Sequence, residues 1–139
     1  MRRILVIANR TLCEEHLLDE LRARRAAGAV AFHLLVPASH PAGSWTDAQA
    51  ELAARGRLEE VLATLASCGI GATGEIGDAS PVQAVDDLLR RGERFDEVIV
   101  STLPVGMSRW VARSVVSRLR THTGVPVTHV VAEGVPALT

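Results

Sequence analysis

Short apolar runs alternate with segments of helical period along the whole chain, and that alternation limits the fold more than any other feature. Ile4–Ala8, Val30–Val36, Gly71–Ile76, Glu97–Ser101 and Val125–Val131 read as five strands, with one helical segment between each pair. Ile4–Ala8 has no polar alternation, as expected of a strand covered on both faces. Strands joined by helical crossovers pair in parallel, and the crossovers place helices on both faces. The class is therefore α/β, a five-stranded parallel sheet with helices on both sides. Periodicity does not set the strand order. Gly71–Ile76 carries two glycines and a glutamate, which suits a sheet edge.

The helix signals fall between these runs. Thr11 and Glu14 have capping-box spacing, and Cys13, Leu17, Leu18 and Leu21 share one face behind them. Arg22, Arg24 and Arg25 gather near that helix's end, where cations suit the dipole, and Gly28 stops it. Pro37 ends the second strand, and residues 38–45 read as a loop. Asp47 opens the second helix, Leu58, Val61, Leu62 and Leu65 form its stripe, and Gly69 closes it. Ser80-Pro81 reads as an N-cap followed by proline at the first helical position. Val82, Val85, Leu88 and Leu89 then face the core. Ser108 caps a fourth helix carrying Val111, Val115 and Leu119.

Composition sets the outer limits. A chain of 139 residues suits one domain, here spanning 1–139. Hydrophobic residues make up 47% and aromatic ones 3%, so the core must be aliphatic. A net charge of -1 gives no general attraction to nucleic acid or to an anionic membrane, and neither is expected as a partner. All fifteen basic residues are arginine. Without lysine there is no P-loop lysine and no Schiff-base lysine. Cys13 and Cys68 lack metal or redox spacing and are expected to be buried thiols. The first apolar run stops at Asn9-Arg10, too short for a signal peptide. No segment reaches the ~20 apolar residues of a membrane helix, so a cytoplasmic location is expected.

Few residues carry visible chemistry. Gly69-Ile-Gly-Ala-Thr-Gly74 spells G-x-G-x-x-G, but it follows a helix and enters a strand, the reverse of the dinucleotide fingerprint. A helix stop and a turn explain it. The five histidines form no ligand pair, and His33 and His129 fall in strands, where hydrogen-bonded histidines are expected. Asp86-Asp87 and Glu59-Glu60 point apart around their helices, so neither makes an acid–base pair. No G-x-S-x-G elbow is present. What remains is two strand ends: Ala8-Asn9-Arg10-Thr11 after strand one, and Ser101–Arg109 after strand four. If those strands are neighbours, their exits form the crevice of a topological switch point. The amides that open the fourth helix at Ser108, Arg109 and Trp110 would then face an anion.

Arg3-Ile-Leu-Val-Ile-Ala8, Gly77-Asp-Ala-Ser-Pro81, Gly106-Met-Ser-Arg109 with Ser114, and Gly124-Val-Pro-Val127 together resemble the universal stress protein family, over nearly the whole chain. The resemblance implies a Rossmann-type sheet of order 3-2-1-4-5, often paired through the last strand, hence a homodimer. It also implies ATP as the cofactor to test. Nucleotide-binding members carry G-x-x-G, nine residues, then G-[S/T]. Here the three glycine positions fall on Val100, Leu103 and Arg113, and only Ser114 keeps its type. The acidic residue those members place after strand one appears as Asn9. The chain thus resembles a divergent member with a degenerate ATP motif. A side chain at Leu103 and the missing donor at Pro104 oppose a backbone cradle for phosphate.

The expected role is a non-enzymatic regulatory or stress-response protein with weak or absent ATP binding. The alternative is a nucleotide or small-anion binder with a rearranged loop. The residues that would touch a ligand are Ala8, Asn9, Ser101, Thr102, Gly106, Ser108, Arg109, Arg113 and Ser114. Arg109 and Arg113 would supply guanidinium contacts in place of glycine amides, or the site is simply closed.

Overall fold

A computed structural model describes residues 1–8, 15–37, 47–78, 80–102 and 109–131. The elements run β1 (Arg2–Ile7), α1 (Glu15–Ala27), β2 (Val30–Pro37), α2 (Asp47–Ser67), β3 (Ala72–Gly77), α3 (Pro81–Arg90), β4 (Glu97–Thr102), α4 (Arg109–Thr123) and β5 (Val127–Val131). All strand pairs are parallel, and the sheet order is β3-β2-β1-β4-β5. The expected class and order are both observed, with β3 at one edge and β5 at the other. The expected strand boundaries shift by at most two residues, most at the starts of β1 and β5.

The strand period of two splits the core into two halves. Ile4, Val6, Phe32, Leu34 and Ile99 face one way and pack with Leu17, Leu21, Leu58, Val61 and Leu65 of α1 and α2. Leu5, Ile7, Leu35, Val98 and Val100 face the other way, against Val82, Val85 and Leu88 of α3 and Val116 and Leu119 of α4. Ile4–Ile7 of β1 and Val98–Val100 of β4 are therefore apolar at every position, because these stretches serve both halves.

Two helix ends show why the glycines sit where they do. At the end of α2, Gly69 adopts φ 75°, its N–H bonds the Ala66 carbonyl at 3.0 Å, and the Ile70 N–H bonds the Leu65 carbonyl at 2.9 Å. This is the Schellman arrangement, and it turns Ile70 inward, where it is buried. Gly92 closes α3 the same way, with φ 92°. The G-x-G-x-x-G of residues 69–74 is thus a helix stop followed by a strand. The same motif corrects one expectation: Cys68 is exposed, not buried. The helix ends one residue earlier, and Ile70 takes the inward place that a continued stripe would have given Cys68. Cys13 lies outside the described residues, as do Thr11, Glu14 and the 38–45 loop. At the start of α3, Ser80 Oγ accepts from the Gln83 N–H at 3.4 Å with Pro81 next, as the sequence predicts.

Candidate functional site

β1 and β4 are neighbours, in register from Ile4↔Glu97 to Ile7↔Val100. α1, the helix after β1, packs on one face of the sheet and α4, the helix after β4, packs on the other, so a switch point forms at the C-terminal ends of the two strands. Of the proposed contact residues, Ala8, Ser101 and Thr102 meet there. Ala8 is buried, and its N–H bonds the Leu35 carbonyl at 3.3 Å, which extends the β1–β2 ladder. Ser101 is buried at the penultimate position of β4. Thr102 is half-buried at the rim. Arg109 opens α4, Arg113 lies one turn on, and Ser114 is exposed on that helix. Asn9, Gly106 and Ser108 lie outside the described residues, as do Leu103 and Pro104.

One rim contact was not predicted. The Thr102 hydroxyl and His129 Nε2 lie 2.7 Å apart. Val100 pairs with His129 and Thr102 with Val131, so the two side chains are diagonal neighbours on the face covered by α4. Burial pushes the His129 imidazole below its usual range. The sequence placed His129 in a strand, but only the β4–β5 register brings it to Thr102.

Two other polar groups lie away from the rim. At the opposite end of the sheet the buried Glu97 carboxylate accepts from Arg24 Nε at 3.1 and 3.2 Å, from an Arg24 terminal nitrogen at 2.8 Å, from Arg2 at 3.1 Å and from Thr128 Oγ1 at 3.3 Å. At the β3 edge, His33 bonds Thr73 Oγ1 and Glu75 Oε1, both at 2.8 Å, and Arg91 grips Glu75 at 2.6 and 3.0 Å. Arg91, and after it His33, hold the Glu75 carboxyl below the usual carboxylate range despite its partial burial.

A groove of about 310 Å³ runs beside this second group, floored by Leu35, Ile76, Ala84 and Leu88 and edged by Glu51, Asp78 and Asp87. Its carboxylates are engaged within the fold. Asp78 accepts from the Ser80 N–H at 2.9 Å, Asp87 accepts from Gln83 at 2.8 Å, and Glu51 lies 3.9 Å from Arg55. Among the described residues no cluster of three or more His, Cys, Asp or Glu could hold a metal ion, and no helix is long and apolar enough to cross a membrane.

No family model matches the chain, and no curated protein matches it in sequence. Solved structures do match, end to end. A universal stress protein family protein from Arabidopsis thaliana, with AMP bound, superposes with a TM-score of 0.63 at 16% identity, covering 96% of this chain and 94% of that one. The fold is that of the universal stress proteins. The universal stress protein of Archaeoglobus fulgidus gives 0.56 at 13% identity over 94% of this chain and 93% of its own. A family protein from Burkholderia pseudomallei gives 0.55 at 15% over 93% and 95%. At these identities the universal stress likeness is one of fold, and the chemistry of the rim must be argued from this chain's own residues.

Proposed function

We infer that the chain is a non-enzymatic regulatory protein of the universal stress type, serving a stress response, whose β1–β4 crevice holds an adenine nucleotide only weakly. The observation that carries this reading is the meeting of Ala8, Ser101 and Thr102 at the switch point of a fold shared with an AMP-bound protein. The weakness follows from the sequence after Thr102. Leu103 and Pro104 stand where a phosphate loop needs bare peptide, and proline has no N–H to give. Against catalysis, the Thr102–His129 pair resembles a nucleophile and base, but among the described residues no carboxylate is seen to orient the imidazole as in a triad.

Calorimetric titration with ATP and Mg²⁺, and with AMP, tests the reading. Dissociation constants of about 1 mM, near -4 kcal/mol, are expected. Saturation at low micromolar nucleotide would overturn the weak-binding clause and favour the rearranged site, in which Arg109 and Arg113 at the start of α4 supply the phosphate contacts. Turnover of ATP that is lost in Thr102→Val would overturn the non-enzymatic clause.

The same reading includes self-association. β5 is an edge strand, Val131 on it is 41% exposed, and an edge of this kind invites pairing with a second copy. Light scattering at high micromolar concentration should give twice the 14.8 kDa mass of one chain. A single-chain mass there would remove the dimer.

A further inference from the structure

We propose that His129 is a positioning residue for anionic ligands at the β4 rim, acting by setting whether the Thr102 hydroxyl gives or accepts its hydrogen bond. This rests on the nucleotide reading of the crevice. The geometry is the 2.7 Å contact between Thr102 Oγ1 and His129 Nε2, at the last residue of β4.

A threonine hydroxyl has one proton. When Nε2 is bare, the hydroxyl spends that proton on the ring, and only its lone pairs are left for the crevice. Lone pairs repel a phosphate oxygen. When Nε2 carries a proton, the ring donates, Oγ1 accepts, and the hydroxyl proton is free for a ligand oxygen. An anionic ligand that reaches Thr102 therefore selects the form of His129 protonated at Nε2. Because that form is always present in the imidazolium, binding strengthens as pH falls. Burial favours the neutral ring, to which we assign the Nδ1–H tautomer in the free protein, so that Nε2 accepts from Thr102 until a ligand recruits the donor form.

The surrounding charges leave this choice to the ligand. Arg120 is the described α4 cation that reaches β5, and it donates to the Val127 carbonyl at 3.3 Å. Glu97 and Arg24 hold Thr128, whose side chain alternates to the other face of the strand. Neither Arg120 nor the Glu97–Arg24 pair is among the causes of the shift of His129.

The test uses AMP and the full chain. Side-chain ¹⁵N spectra of the histidines, recorded at pH 7 with and without AMP, should show the His129 Nε2 unprotonated in the free protein and protonated when AMP is bound. Affinity should rise about fivefold to tenfold between pH 8 and pH 6. AMP titrates over the same range, so His129→Gln is the control. Its amide nitrogen can donate to Thr102 at every pH, and its affinity should be no weaker than the native protein's at pH 8. Its pH dependence should shrink to what AMP's own ionisation produces. Thr102→Val should weaken AMP binding and remove the excess pH dependence. AMP binding with no change at Nε2, and with the same pH profile in His129→Gln, would overturn the proposal and leave the nucleotide reading standing. Absence of any AMP-induced shift across the spectrum would overturn both.

Discussion

Replacing Glu97 with alanine should lower the stability of the fold by about 3 kcal/mol, in the range seen when one partner of a buried ion pair is removed. The Glu97 side chain is only 7% exposed, and it joins four elements. It sits on β4, takes Arg2 from β1, Arg24 from α1 and Thr128 from β5. Its removal leaves the Arg24 guanidinium, 24% exposed and held also by Glu20 at 2.6 Å, without its inner partner. At about 3 °C per kcal/mol for a chain this size, the melting temperature should fall by roughly 9 °C. Arg24→Ala should cost a similar amount, because it leaves a buried carboxylate short of its best donor. Arg2→Ala should cost less than about 1 kcal/mol, since Arg2 is 58% exposed and water replaces most of what it gives. The double variant Glu97→Met with Arg24→Met should be more stable than either single alanine variant, because an apolar pair has no charge to leave unpaired. Thermal melts followed by circular dichroism check the series. Equal losses at Arg2 and Arg24 would show that burial does not govern the cluster.

Glu97 also marks where the sequence stops being readable. It begins an apolar run and looks like an ordinary exposed strand end. Its burial depends on Arg24, 73 residues earlier, and Thr128, 31 residues later, and no local pattern announces partners at such distances. His129 shares this property. Its place in a strand follows from Val and Thr neighbours, whereas its bond to Thr102 follows from the β4–β5 register, which chain packing sets. What was legible is local or periodic. The Ser80-Pro81 cap, the Gly69 stop and the Leu58/Val61/Leu65 stripe are each decided within a few residues, and each appears as expected. Cys68 shows the boundary between the two kinds of inference. Helical period predicted it buried, and a single left-handed glycine one residue later turned it out and Ile70 in. At the rim, sequence found the right two strands because their exits are fixed by the alternation, but the side chains that converge there depend on register.

The second large effect is expected at Phe95, where alanine should cost about 3 to 4 kcal/mol through the cavity it leaves. The chain has only two phenylalanines and no tyrosine, so few of its side chains can fill a wide gap. Phe95 stands in the turn between α3 and β4 and closes the lower end of the core half under α3 and α4. Its ring stacks on His33 with centroids 6.1 Å apart and 20° between planes, and the Arg3 guanidinium lies 4.8 Å from its centroid. Arg3 is in turn fixed by Glu93 at 2.8 Å and by the Arg94 carbonyl at 2.9 Å, while its backbone exchanges bonds with Asp96. The ring therefore ties the start of β1 to the entry of β4 and to the His33–Glu75–Arg91 group at the sheet edge. Phe95→Leu separates packing from ring chemistry. It keeps most of the volume and should cost about 1.5 kcal/mol or less in packing. The lost cation–π contact adds about 0.5 to 1 kcal/mol, since Arg3 is partly exposed. That second part should vanish in an Arg3→Ala background, so a double-mutant cycle on Phe95→Leu and Arg3→Ala should return a coupling of about that size. Urea unfolding measures all four proteins. A coupling of zero would mean that Arg3 is held by Glu93 and the backbone alone, and that Phe95 matters only for the volume it fills.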